Sequence, residues 1–146
     1  MSLRFLFLVL VMSAPVRAET LQPYKVDGDA IMLSLTGKPG DAARGQALIA
    51  DRQKGLCLLC HTGPFSETHM QGNLAPDLRT AAGTLTPGQL RLRVVDMRQV
   101  NPDTVMPAFY RNQGFTRVLS LWQDKPILTA EQIEDVVAYL ITLQDK

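Results

Sequence analysis

Apolar residues near the C-terminal end recur at steps of three and four: Ile133, Val136, Val137, Leu140 and Ile141. That spacing puts them on one face of an α-helix. Thr129-Ala130-Glu131-Gln132 precedes them as a capping box, so the helix starts there. Thr86-Pro87-Gly88-Gln89 is a second start signal, a cap residue followed by Pro at the first helical position and Gln two further on. The helix it opens carries Leu90, Leu92, Val94, Val95 and Met97. A third helix is predicted from Asp41 as cap to about Lys54, with Ala42, Leu48 and Ile49 apolar and Gly55 as its stop. Gly45 in this helix and Tyr139 in the last are candidates for a close crossing, because a residue without Cβ lets an aromatic approach. Residues 62–84, rich in Gly, Pro and Asn, read as a long loop. Residues 19–40 form a leader of turn formers, Asp27-Gly28-Asp29 and Gly37-Lys38-Pro39-Gly40 among them, with little periodicity. No strand alternation, repeat or internal linker is visible, so a single all-α domain is expected over 41–146 behind an N-terminal extension, 19–40.

The first 18 residues differ in kind. Arg4 precedes the apolar run Phe5 to Met12, and Val16 and Ala18 occupy the −3 and −1 positions of a cleavage site. This describes a secretory signal peptide, 1–18, and a periplasmic destination. The apolar run is too short to span a bilayer, and no later stretch is long enough, so no transmembrane segment is expected. Loss of Arg4 and Arg17 on cleavage turns a formal charge of +1 into −1. With 15 basic against 14 acidic residues, a strongly basic nucleic-acid binder is excluded.

Export sharpens the meaning of the two cysteines, Cys57 and Cys60. A disulfide between them would close a very small loop and constrain little of the unfolded chain. His61 follows at once, and C-x-x-C-H is the attachment pattern of c-type haem. Each thiol adds to a haem vinyl group, and the adjacent imidazole serves as the proximal iron ligand. A zinc site would need four ligands, and only His69 remains to complete it. A redox dithiol is expected beside a βαβ pattern, which is absent. One covalently attached haem c is therefore expected.

The far side of such an iron usually carries Met or His. Met32 lies in an extended-looking stretch before the motif, and Met97 ends a helical pattern, where a core role is more natural. His69 and Met70 follow the motif closely and belong to the proximal-side loop. Met106 stands in Asn101-Pro102-Asp103-Thr104-Val105-Met106-Pro107, where Pro107 pushes it out of the helical region. Met106 is the expected second ligand; the alternatives are a flexible core filler at Met106, or His69 or Met70 at the iron. Arg91, Arg93 and Arg98 give the middle helix a basic character, read first as a solvated face, with propionate pairing or docking of an acidic partner as the other uses. With both thiols and His61 committed to haem, no catalytic nucleophile is left in the chain.

Beyond the haem motif, several segments resemble SoxX, the monohaem subunit of the SoxAX cytochrome complex. They are Ser34-Leu35-Thr36-Gly37-Lys38-Pro39-Gly40-Asp41, Arg44-Gly45, Gly55 to His61, Gly72-Asn73-Leu74-Ala75-Pro76-Asp77-Leu78, Leu90 to Asp96, Asn101 to Tyr110, and Glu134 to Leu140. The resemblance implies a class I cytochrome c-like helical fold around one haem. It implies a subunit of an L-cysteine S-thiosulfotransferase complex of sulfur oxidation, which couples thiosulfate oxidatively to a carrier cysteine on SoxYZ. The reacting cysteine belongs to the SoxA partner of the heterodimer, and SoxX relays electrons to a small soluble acceptor through a His/Met haem. Cys57, Cys60, His61 and Met106 match the family's ligand positions. A free-standing electron carrier is the competing reading. The leader bears on the choice, since it either packs on a partner or covers the domain's own surface.

Overall fold

The computed structural model describes residues 21–144. The expected signal peptide lies outside the described residues. Among the described residues four α-helices follow one another: α1 (Ala42–Ala50), α2 (Leu78–Ala82), α3 (Pro87–Asp96) and α4 (Ala130–Ile141). Single 3₁₀ turns lie at Cys57–Leu59, Thr68–Met70, Met97–Gln99 and Ser120–Trp122. No strand occurs among the described residues; an isolated bridge joins Asp27 and Ala30. The all-α expectation holds.

The start signals act as predicted. Asp41 accepts from the Arg44 N–H, and Thr86 and Thr129 each form a reciprocal capping box with the Gln three residues on. The end of α1 differs from prediction. The helix stops at Ala50 because the Asp51 carboxylate accepts from the N–H groups of Gln53 and Lys54, at 2.7 and 3.1 Å. That local turn competes with continued helix. The expected loop of 62–84 contains α2, capped by Asp77. Its five residues are too few to show a period in the sequence.

Helix α1 crosses α4 at Gly45. A Cβ there would overlap the carbonyl of Asp135 and touch Cβ of Tyr139, so the crossing expected from the sequence is present and requires glycine. Asp135, 2% exposed, receives the Asp41 N–H at 2.7 Å and both Nε and Nη2 of Arg44 at 2.8 Å. The apolar face of α4 (Ile133, Val136, Val137, Leu140) meets Leu92 and Val95 of α3, Ile49 of α1 and Leu128 in one core.

The leader packs on this domain itself. Ile31 and Leu35 are buried, and the Ile31 N–H donates to the Gly88 carbonyl at 3.0 Å. Arg91, read as part of a solvated face, is instead 5% exposed. Its Nε and Nη2 donate to Glu134 at 2.7 and 2.9 Å, and Nη1 donates to the Ile31 carbonyl at 2.6 Å. Glu134 in turn accepts from the Leu35 N–H at 2.8 Å. One buried ion pair thus joins α3, α4 and the leader. Periodicity alone could not find it, because charged residues on a helix are usually solvated.

Candidate functional site

The C-x-x-C-H segment follows Leu56, which has left-handed backbone geometry with φ 61°. That kink turns the chain from α1 into the 3₁₀ turn at Cys57–Leu59, whose Cys57 carbonyl accepts from Cys60 N–H at 3.1 Å and His61 N–H at 2.9 Å. The returning segment ties the turn down. Gly72 donates to Leu58, Ala75 to Cys60 and Leu78 to Thr62, at 2.8–2.9 Å. A Cβ on Gly72 would overlap the Leu59 carbonyl, so this approach needs glycine. Of the two residues between the cysteines, Leu58 enters the core and Leu59 is exposed.

Cys57, Cys60 and His61 line a cavity of about 530 Å³. This is within the usual size range of ligand and cofactor sites. Its floor is apolar, with Leu90 and Val94 of α3, Val136 and Leu140 of α4, Phe109 and Leu128. Met106 lines the same cavity. Asn101 shapes its loop: the side chain accepts from Asp103 N–H at 3.1 Å, and the backbone carbonyl from Thr104 N–H at 3.2 Å. Thr104 Oγ1 then accepts from the Met106 N–H at 3.1 Å. Ala108, Phe109 and Tyr110 after Pro107 are buried, and the Tyr110 N–H donates to the Val95 carbonyl at 3.2 Å, anchoring the loop to α3.

His61 is held through Nδ1, 2.6 Å from the carbonyl oxygen of Pro76. A carbonyl only accepts, so Nδ1 carries the proton and donates, which makes Nε2 the lone-pair nitrogen of the neutral ring. This is the arrangement of an imidazole prepared to bind a metal through Nε2. The cysteines are unbridged. Burial pushes the Cys57 thiol up to about 11, whereas redox and nucleophilic cysteines have lowered values. That environment suits a neutral sulfur and counts against a redox dithiol.

The other sulfur and imidazole candidates divide clearly. Met32 and Met70 are exposed, His69 is exposed, and none of the three borders the cavity. Met97, expected in the core, is instead half-buried on the cavity wall. It caps α3 in helical geometry, whereas Met106 sits in a proline-bracketed loop. Sequence reasoning missed the Pro76 carbonyl and did not single out Arg93, which also reaches the wall. Backbone carbonyls carry no residue-type signal. The cavity offers two thiol sulfurs, an imidazole and the thioethers of Met106 and Met97 around an apolar interior, which fits the expected covalent haem.

A model of the cytochrome c family matches residues 42–144. Among solved structures, the chain is similar to one in the crystal structure of SoxXA from P. pantotrophus, with a TM-score of 0.76 and 36% sequence identity. The likeness covers 83% of this chain and 94% of that one. No curated protein matches it.

Proposed function

This chain belongs to the cytochrome c family, as a SoxX-type monohaem member with haem c bound covalently, and from that premise we propose that it is the electron-accepting subunit of a thiosulfate-oxidising SoxAX complex. The site reading rests on one observation: the C-x-x-C-H turn and Met106, distant in sequence, border one apolar cavity in which His61 is pinned through Nδ1. The likeness to SoxXA supports the complex.

In this reading Cys57 and Cys60 would hold the haem through thioethers, and His61 Nε2 and Met106 Sδ would bind its iron. When bound, the haem supplies a one-electron couple whose potential a Met ligand raises. The chain's residues do the rest. Pro76 fixes the His61 tautomer, the Asn101–Thr104 turn presents Met106, and Leu90, Val94 and Phe109 exclude water. Coupling of thiosulfate to a SoxYZ cysteine joins two sulfur atoms and releases two electrons and the thiol proton. A cysteine of the SoxA-type partner takes up thiosulfate first and hands it to the SoxYZ thiol by exchange, which regenerates its own thiol. This chain passes the two electrons singly to a small soluble acceptor. Both partners would meet it in the periplasm. No helix among the described residues is long and apolar enough to cross a membrane.

The test is to mix the purified, haem-loaded chain with a SoxA-type subunit and SoxYZ. Stoichiometric co-elution, with thiosulfate-dependent reduction of this chain's haem, is the expected result. Recovery of the chain alone at both low and high salt withdraws the complex and favours a free-standing electron carrier. Cys57→Ala, Cys60→Ala and His61→Ala examine the site itself: haem staining after denaturing electrophoresis should weaken or vanish for the cysteine variants, and His61→Ala should lose the low-spin spectrum. A normal spectrum in all three sinks the site reading.

A further inference from the structure

Among the described residues, the wall of the cavity carries one charged side chain, Arg93. Its neighbours on that wall, Leu90, Val94 and Met97, are apolar. A guanidinium cannot shed its proton to suit such surroundings, so it needs anionic or carbonyl partners. Arg93 has modest ones. Nη1 donates to the Gln89 carbonyl of its own helix at 3.0 Å, and Nη2 donates to Asp29 Oδ2 at a long 3.4 Å. Asp29 is shared, because Gln89 Nε2 donates to both of its oxygens at 3.2 and 3.0 Å. A guanidinium has five N–H donors. Among the described residues, most of those on Arg93 have no protein acceptor.

The neighbouring arginines are placed differently. Arg91 is committed to Glu134 and the Ile31 carbonyl, and Arg98 is exposed and off the wall. A haem matches the apolar floor over most of its surface and brings two propionate carboxylates that need cations. We infer that Arg93 is the propionate partner of this cavity, and that Asp29 of the leader is a positioning residue that shares the guanidinium and so helps set the reduction potential. The inference rests on haem occupying this cavity. A fixed cation beside the haem disfavours the oxidised, more positive form and raises the potential; a carboxylate drawing on that cation offsets part of the effect.

The experiment compares purified holo-proteins: wild type, Arg93→Gln, Arg93→Lys, Asp29→Asn and Arg98→Gln. A pyridine haemochrome spectrum first checks that each carries covalent haem. Wild type without covalent haem defeats the site reading itself; the results below, obtained with haem in place, bear on Arg93 alone. Arg93→Gln should shift the one-electron equilibrium about tenfold toward the oxidised form, a fall of about 59 mV, and move the propionate bending band in resonance Raman. Arg98→Gln makes the same change in net charge and should move the potential far less and the band not at all. Arg93→Lys keeps the charge, so the potential should stay near wild type while the band still moves through loss of the planar fork. Should Arg93→Gln not fold, Arg93→Lys decides by its band. Asp29→Asn should raise the potential; an unchanged or lower value removes Asp29 from the inference. Equal shifts in Arg93→Gln and Arg98→Gln, or an unmoved band in the Arg93 variants, overturn the assignment of Arg93.

Discussion

Met106 and Met97 both reach the cavity, and their backbone settings separate them. Met97 ends α3 in helical geometry, while Met106 lies in a loop bracketed by Pro102 and Pro107 and held by the Thr104 hydroxyl. Met106→Ala should therefore keep the haem covalently attached, lower the potential and let an external ligand such as imidazole or cyanide bind the iron. Met97→Ala should do none of these beyond a small packing loss. The reverse pattern, read by optical titration, would transfer the ligand role to Met97. Gly45 makes a second prediction at this scale. Its Cβ would overlap the Asp135 carbonyl, which is backbone and cannot rotate away. Gly45→Ala should cost about 3 kcal/mol, toward the upper end of overpacking penalties; denaturant unfolding of the holo-protein at constant m-value checks it. A cost below about 1 kcal/mol would mean that the helices separate easily at this crossing.

Between elements, one buried pair carries more than its share. Glu134 accepts from Arg91 and from the Leu35 N–H, and Arg91 also donates to the Ile31 carbonyl. Glu134→Gln leaves a guanidinium at 5% exposure without its counter-charge, and breaking such pairs costs about 3–5 kcal/mol. Replacing both partners by apolar residues is often neutral elsewhere. Here the pair Arg91→Met with Glu134→Leu should still destabilise, because it orphans two leader backbone groups. Chemical denaturation of the single and double variants distinguishes the cases. The start of α1 adds a pH dependence. The Arg44 backbone N–H holds the Asp41 carboxyl below its ordinary range. A carboxylate lowered on folding contributes stability above its unfolded value, and that contribution is lost as pH falls through the folded one. Asp41→Asn should flatten this acid limb in thermal melts taken from neutral to acid pH.

At the scale of the molecule, the leader is a working part of the domain. It places Ile31 and Leu35 in the core, covers the Arg91–Glu134 pair and delivers Asp29 to Arg93. Removing residues 19–40 should destabilise the holo-protein by about 3–6 kcal/mol from the lost burial of Ile31 and Leu35 alone. It should also leave the haem motif competent for attachment, since no leader residue borders the cavity. Denaturation midpoints and haem content of the truncated chain measure the two separately. Unchanged stability would return the leader to the role of a partner-facing appendage.

Local signals were sufficient for much of this. The capping boxes at Thr86 and Thr129, the period of α4 and the cysteine spacing each act within a few residues, so the sequence by itself determined three of the helices and the haem chemistry. The Gly45–Tyr139 crossing was legible too, because only glycine permits so close an approach. Other features were hidden by a competing local turn, by shortness, or by contacts between residues far apart in the chain. Asp51 ends α1 early through a side-chain turn that competes with the helix, and α2 is too short to register as a period. Arg91 looked like a solvated cation until Glu134, Ile31 and Leu35 came to surround it, and Met97 and Arg93 reached the cavity only once α3 packed. Sequence sets which groups are present and their local geometry; packing alone decides which of them are taken out of water together, and that decided the partners of Arg91, Glu134 and Asp135.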